Sequence, residues 1–91
     1  MAKKSLRAKV EDALRPLLGV APSDKLELED VSPNKVGGTL VASKFRGLTH
    51  AERQDLIWDA LDAALTPHER TRIVIIVANT PEEHKVLRKG A

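Results

Sequence analysis

The sequence predicts an α+β domain, a small α-β-β-α-α-β-α arrangement around a three-stranded mixed sheet. Three observations carry this. Thr39–Leu65 reads as a strand, a glycine turn at Gly47 and an amphipathic helix. Lys25–Val31 alternates apolar and charged residues, the pattern of a half-buried strand. Ile73–Val77 is a continuous apolar run, the pattern of a strand covered on both faces. Strand, helix and strand in succession form a crossover, so the second and third strands are predicted parallel with a right-handed connection.

Taken in order, Ser5–Leu18 is the first helix, with Leu6, Val10, Ala13, Leu14 and Leu17 on one face. Lys3, Lys4, Arg7 and Lys9 gather at its start, where cations oppose the helix dipole; they read as a solvated tail or as an arm for an acidic partner. Pro16 kinks its last turn and Gly19 ends it. In the first strand Leu26 and Leu28 point inward and Glu27 and Glu29 outward. Ser32–Gly38 is the connection, expected as a hairpin with a loose tip. The second strand, Thr39–Phe45, places Val41, Ser43 and Phe45 on one face and Leu40, Ala42, Lys44 and Arg46 on the other.

Thr49 and Glu52 form a capping box that opens the second helix, whose buried stripe is Leu56, Ala60, Leu61, Ala64 and Leu65. Thr66-Pro67-His68-Glu69 is a second capping box with proline at the first helical position, and Thr80-Pro81-Glu82-Glu83 a third that opens the last helix. The expected core is Leu14, Leu28, Val41, Phe45, Leu56, Leu61, Ile75 and Val77.

Residues 1–91 form one domain, with 1–4 expected as a flexible basic N-terminus. The formal charge of +2 is below that of a strong polyanion binder, and Phe45 and Trp58 are the only aromatics, which counts against base stacking. The absence of cysteine excludes disulfides, thiolate metal sites and a cysteine nucleophile. No apolar run reaches transmembrane length, and no signal-peptide core follows the basic start; a cytoplasmic protein is expected.

No constellation reads as catalytic. His50, His68 and His84 lie apart in sequence, without metal-ligand spacing, and are expected in exposed or capping roles. Asp55, Asp59 and Asp62 form a solvated helix face, Ser43 lacks a nucleophile elbow, and Trp58 reads as an anchor at the core edge. The basic set Lys35, Lys44, Arg46, Arg53, Arg70 and Arg72 is more informative, as separately solvated side chains or as a convergent group. Lys44 and Arg46 are expected on one strand face and Arg53 just inside the helix, converging near Gly47 beside the helix N-terminus. The candidate binding residues are therefore Lys44, Arg46, Gly47, Arg53 and Arg72, with no metal ligand, cofactor or catalytic residue.

Phe45-Arg46-Gly47 before a helix carrying Arg53, Trp58 followed by Ala60-Leu61, and Thr80-Pro81-Glu82-Glu83 after the last strand together resemble the BolA-like family, from about Leu6 to Leu87. The resemblance implies a fold related to class II KH domains, a monothiol glutaredoxin partner sharing a [2Fe–2S] cluster, and in some members transcriptional regulation. It also marks departures. The family's histidine after the helix arginine is Gln54 here, its histidine before the last strand is Arg72, and Ser32–Gly38 holds neither cysteine nor histidine. The KH marker G-x-x-G is absent from Leu65–Glu69. The expectation is a non-enzymatic interaction module, linked to iron–sulfur or stress regulation through a monothiol glutaredoxin-type partner. The alternative is a nucleic-acid-binding transcriptional regulator; neither a membrane nor a small-molecule substrate is expected.

Overall fold

The computed structural model describes residues 5–19 and 21–90. In chain order these form α1 (Leu6–Leu14), β1 (Lys25–Ser32), β2 (Lys35–Val41), α2 (His50–Ala64), α3 (Pro67–Arg70), β3 (Ile73–Asn79) and α4 (Pro81–Gly90), with 3-10 turns at Arg15–Leu17 and Ser43–Phe45. The sheet order is β1-β2-β3, with β1 antiparallel and β3 parallel to β2. The element order and the mixed sheet are those expected from the sequence. The predicted basic N-terminus, residues 1–4, lies outside the described residues.

Local chemistry starts each helix. Ser5 Oγ accepts from Ala8 N at 3.1 Å. Thr49 and Glu52 cap α2 reciprocally, at 2.8 Å from Thr49 N to Glu52 and 3.1 Å from Glu52 N to Thr49. Thr66 with Glu69 repeats the device at α3, and Thr80 with Glu83 at the head of α4. Pro16 ends α1 by starting the 3-10 turn. Lys9 on α1 reaches Glu69 on α3, and this contact, with the Thr66 backbone bond, holds the Glu69 carboxyl at a pKa of about 2.

The core lies between one face of the sheet and α1 and α2. It contains Val10, Leu14, Val36, Leu40, Ala42, Phe45, Ile57, Leu61, Leu65, Ile73, Ile76 and Ala78, with Leu26, Leu28, Leu56, Trp58 and Ala60 packed at its edge. Leu14, Val41, Phe45 and Leu61 are buried as expected. In α2 the deeply buried stripe is Arg53, Ile57 and Leu61, one position round from the predicted one, and Ala64 is exposed. Apolar residues at 56, 57, 58, 60, 61, 64 and 65 support two overlapping stripes, and packing chooses between them.

Two strand assignments are corrected. β2 begins at Lys35 and ends at Val41, so Gly37 and Gly38 lie inside the strand and the hairpin turns tightly at Pro33–Asn34. Gly38 faces Leu28, and a Cβ there would overlap the Glu27 carbonyl oxygen; only glycine lets β1 approach this closely. Ser43–Phe45, predicted as strand, is a 3-10 turn. Asp24 imposes it: its Oδ1 accepts from Ser43 N at 3.0 Å and Ser43 Oγ at 2.6 Å, and its Oδ2 from Gly19 N at 2.8 Å. Burial pushes the Asp24 carboxyl up, but the bonds from Ser43 and Gly19 outweigh it and hold it below the ordinary carboxylate value.

β3 is not covered on both faces. Ile73, Ile76 and Ala78 are buried, whereas Ile75 is 59% and Val77 38% exposed, contrary to their expected place in the core. The register slips between Val36↔Ile73 and Gly38↔Ile76, which puts Val74 and Ile75 together opposite Gly37 as a bulge. The bulge keeps both Ile73 and Ile76 directed at the core, although they are three residues apart.

Candidate functional site

The turn after β2 gathers most of the predicted basic residues, but not as a free cationic edge. Gly47 has φ 79°, the left-handed conformation that turns the chain into α2. Lys44 and Arg46 share no strand face, because Lys44 lies in the 3-10 turn and Arg46 follows it. Arg46, largely exposed, forms a two-pronged pair with Glu82 on α4, Nη2 to Oε2 at 2.7 Å. The hydrogen bond to Glu82 raises the Arg46 pKa, and the same bond lowers that of Glu82. Among the described residues no carboxylate pairs with exposed Lys44.

Arg53 is only 5% exposed. It donates to Leu48 O at 3.1 Å, Ala78 O at 3.2 Å, and Glu83 Oε1 and Oε2 at 2.6 and 3.3 Å. Its guanidinium carbon stands 5.9 Å from the Phe45 ring centroid. Glu83 serves two partners, because the oxygen that takes Arg53 Nη1 also caps Thr80 N at 2.8 Å. The Arg53 bond, then the Thr80 backbone bond, hold Glu83 at a pKa of about 2. The Phe45–Gly47 turn, Arg53 and the Thr80–Glu83 segment are thus one clamp that fastens α4 to the start of α2.

Arg72 is at the other end of β3. Its carbonyl accepts from Val36 N at 3.0 Å, which seats it beside the β1–β2 hairpin. It lines a cleft of about 510 Å³ with Ser5, which caps α1, Arg7 of α1, Asp30 of β1, and Asn34 and Lys35 of the hairpin. Its Nη2 lies 2.9 Å from His68 Nε2, which accepts because a guanidinium only donates. Arg7 pairs loosely with Asp30 at 3.6 Å, with both side chains more than half exposed. The sequence set Lys35 and Arg72 in one basic group without placing them side by side or with Arg7; the pairing of β2 with β3 and the packing of α1 join the three.

The positions where an iron cluster would need imidazole or thiolate do not fit it. Gln54 Nε2 donates to Ile76 O at 3.0 Å, and with Arg53 on Ala78 O it covers carbonyls along the outer edge of β3. Arg72 is a cation, and Asn34 and Lys35 occupy the hairpin. Among the described residues no group of three His, Cys, Asp or Glu is placed to hold a metal. His50 and His68 are exposed, as expected. His84 is not: its side chain is 19% exposed and its Nε2 lies 4.0 Å from Glu27 across the sheet face, next to a cleft of about 740 Å³ bounded by Lys25, Val41 and Lys85.

The outward face of the sheet carries a second feature. α4 reaches one end of it, where Val41 and Asn79 are buried. At the other end Val31, Val74, Ile75 and Val77 are exposed. A Cβ on Gly37 would meet Val31 Cγ2 at 3.2 Å and Ile75 O at 3.1 Å, so Val31 lies across the glycine toward the bulge and the apolar surface runs over all three strands. No helix described here is long and apolar enough to cross a membrane.

No family model matches the chain, and no characterised protein sequence matches it at a significant level. Solved structures do. A BolA-like protein from Babesia bovis is 25% identical, with 96% of each chain covered and a TM-score of 0.64. The BolA domain of SufE1 from Arabidopsis thaliana is 26% identical over 90% of this chain and 99% of its own, with a TM-score of 0.63. BolA1 from Arabidopsis thaliana has the same fold at 22% identity, covering 89% of this chain and 98% of its own, with a TM-score of 0.64. The chain has the fold of these proteins, and the neighbours support its assignment to the BolA-like family.

Proposed function

We propose that this BolA-type module acts without catalysis, by binding a partner protein of the monothiol glutaredoxin type, and that it serves iron–sulfur or stress regulation through that partner. The observation that carries the reading is the open end of the sheet. Val31, Ile75 and Val77 are exposed there, beside exposed Val74 in the bulge, and a cluster of exposed apolar residues of this kind marks an interaction site. On the same face of β1 Glu27 pairs with Lys25 at 3.1 Å and Glu29 lies exposed beside them, so the matching surface is apolar at its centre with a polar rim. The partner keeps its own cluster ligands, because Gln54 and Arg72 offer iron neither imidazole nor thiolate.

Calorimetric titration with a monothiol glutaredoxin tests this. Wild type binds, and Ile75→Asp with Val77→Asp abolishes binding while the far-ultraviolet spectrum stays unchanged. Mixing with the cluster-loaded glutaredoxin leaves the visible circular dichroism of the cluster as it was. Failure of wild type to bind, or equal binding by the double variant, removes the reading. The nucleic-acid alternative draws on Lys44 and on Arg46, which would have to leave Glu82, with Arg53 committed to Glu83. It requires a log–log salt slope of about −0.7 to −0.9 per neutralised phosphate, lost in Lys44→Ala with Arg46→Ala.

A further inference from the structure

We propose that the cleft between the start of α1, the β1–β2 hairpin and the start of β3 is an anion site, and that its ligand is a phosphomonoester dianion. The site comprises Arg7 of α1, Lys35 of β2 and Arg72 of the turn before β3, with Ser5 and Asn34 as neutral polar neighbours. Convergence from three directions separates it from a solvated basic face, in which charges along one element point apart.

Charge selects the ligand. Among the described residues the lining holds three cations and one carboxylate, Asp30, which leaves about two positive charges uncompensated there. A phosphomonoester, at −1.5 to −2 near neutral pH, matches that charge, whereas a carboxylate does not. Arg7 and Arg72 present planar forks suited to phosphate oxygens, and Lys35 adds a point charge on a flexible stem. Asp30 holds Arg7 only at 3.6 Å, so the guanidinium is not saturated by its carboxylate. Arg72 is oriented by His68 through one nitrogen, Nη2, and retains further donors. The cleft of about 510 Å³ admits a phosphate with a small organic group. It lies at the opposite end of β3 from the Arg53–Glu83 clamp, whose arginines already carry carboxylates.

The test is a nuclear magnetic resonance titration of the ¹⁵N-labelled full chain at constant ionic strength. The probes are inorganic phosphate, glycerol 2-phosphate, sodium chloride, and an oligonucleotide with and without a 5′-phosphate. Saturable shifts in the amides of Ser5–Ala8, Ser32, Asn34–Val36 and Arg72 with phosphate or glycerol 2-phosphate support the site, and the tighter of the two names the source. Arg72→Gln and Lys35→Gln each weaken binding about ten-fold or more, as loss of a charged hydrogen bond requires. Both are surface changes, and an otherwise unaltered spectrum shows the fold intact. Equal shifts with chloride reduce the effect to screening and overturn the proposal. Binding of the oligonucleotide irrespective of its 5′-phosphate, with none of glycerol 2-phosphate, overturns it in favour of a nucleic-acid backbone.

Discussion

Arg53→Ala is expected to destabilise the domain by about 3 kcal/mol, the lower end of the cost of breaking a buried ion pair. The figure follows from what the guanidinium does. It is 5% exposed and satisfies the carbonyls of Leu48 and Ala78 as well as Glu83. Truncation leaves the Ala78 carbonyl buried without a donor, at about 1–3 kcal/mol, and removes a charge-assisted bond of about 1.5–3 kcal/mol. The lower end applies because Glu83 is 43% exposed and regains water when Arg53 is lost. Arg46→Ala is the internal control: the same chemistry, paired to the neighbouring glutamate, but with side chains 56% and 60% exposed. Its urea midpoint should stay at the wild-type value, because exposed pairs contribute little. Arg53→Ala should lower the midpoint by about 1–3 M at the urea slopes usual for small domains. Glu83→Gln, which keeps the cap but removes the charge, should fall between them. Equal midpoints for the two arginine variants would falsify the assignment of Arg53 as the clamp.

Phe45→Ala should cost about 3–5 kcal/mol, because the ring is fully buried at the end of the 3-10 turn; an unmoved urea midpoint would contradict that burial. Gly38→Ala should disrupt the β1–β2 hairpin, since its Cβ meets the Glu27 carbonyl, whereas Gly47→Ala should cost only about 1–2 kcal/mol for the positive φ in open space. Hydrogen exchange of the β1 and β2 amides separates the two. Glu69 and Glu83 titrate near 2 in the fold against an ordinary value of 4.5, so the stability they add is complete above pH 4.5 and is lost as pH falls toward 2. Thermal melts from pH 7 to pH 2 should show this decline, and Glu83→Gln should make it shallower.

The helix starts were legible in the sequence because their chemistry is local. A threonine and a glutamate three residues apart satisfy each other's backbone wherever the helix packs, and Thr49, Thr66 and Thr80 all do so. The alternation of Lys25–Val31 and the run at Ile73–Val77 likewise declared strands, and the order of elements then dictated a mixed sheet. Tertiary structure decided what depends on a distant partner. Gly37 and Gly38 look like a loop in sequence, yet lie in the strand, where a Cβ on Gly38 would run into the Glu27 carbonyl of β1 and one on Gly37 would crowd Val31 and the Ile75 carbonyl of β3. Ser43 looks like strand, yet turns because Asp24 takes both its amide and its hydroxyl. Arg53 looks like a surface cation, yet is buried because Glu83 and the Ala78 carbonyl meet it from other elements. An apolar run does not specify how many of its faces are covered; that depends on how many helices pack against the sheet, and α4 leaves Ile75 and Val77 in the open.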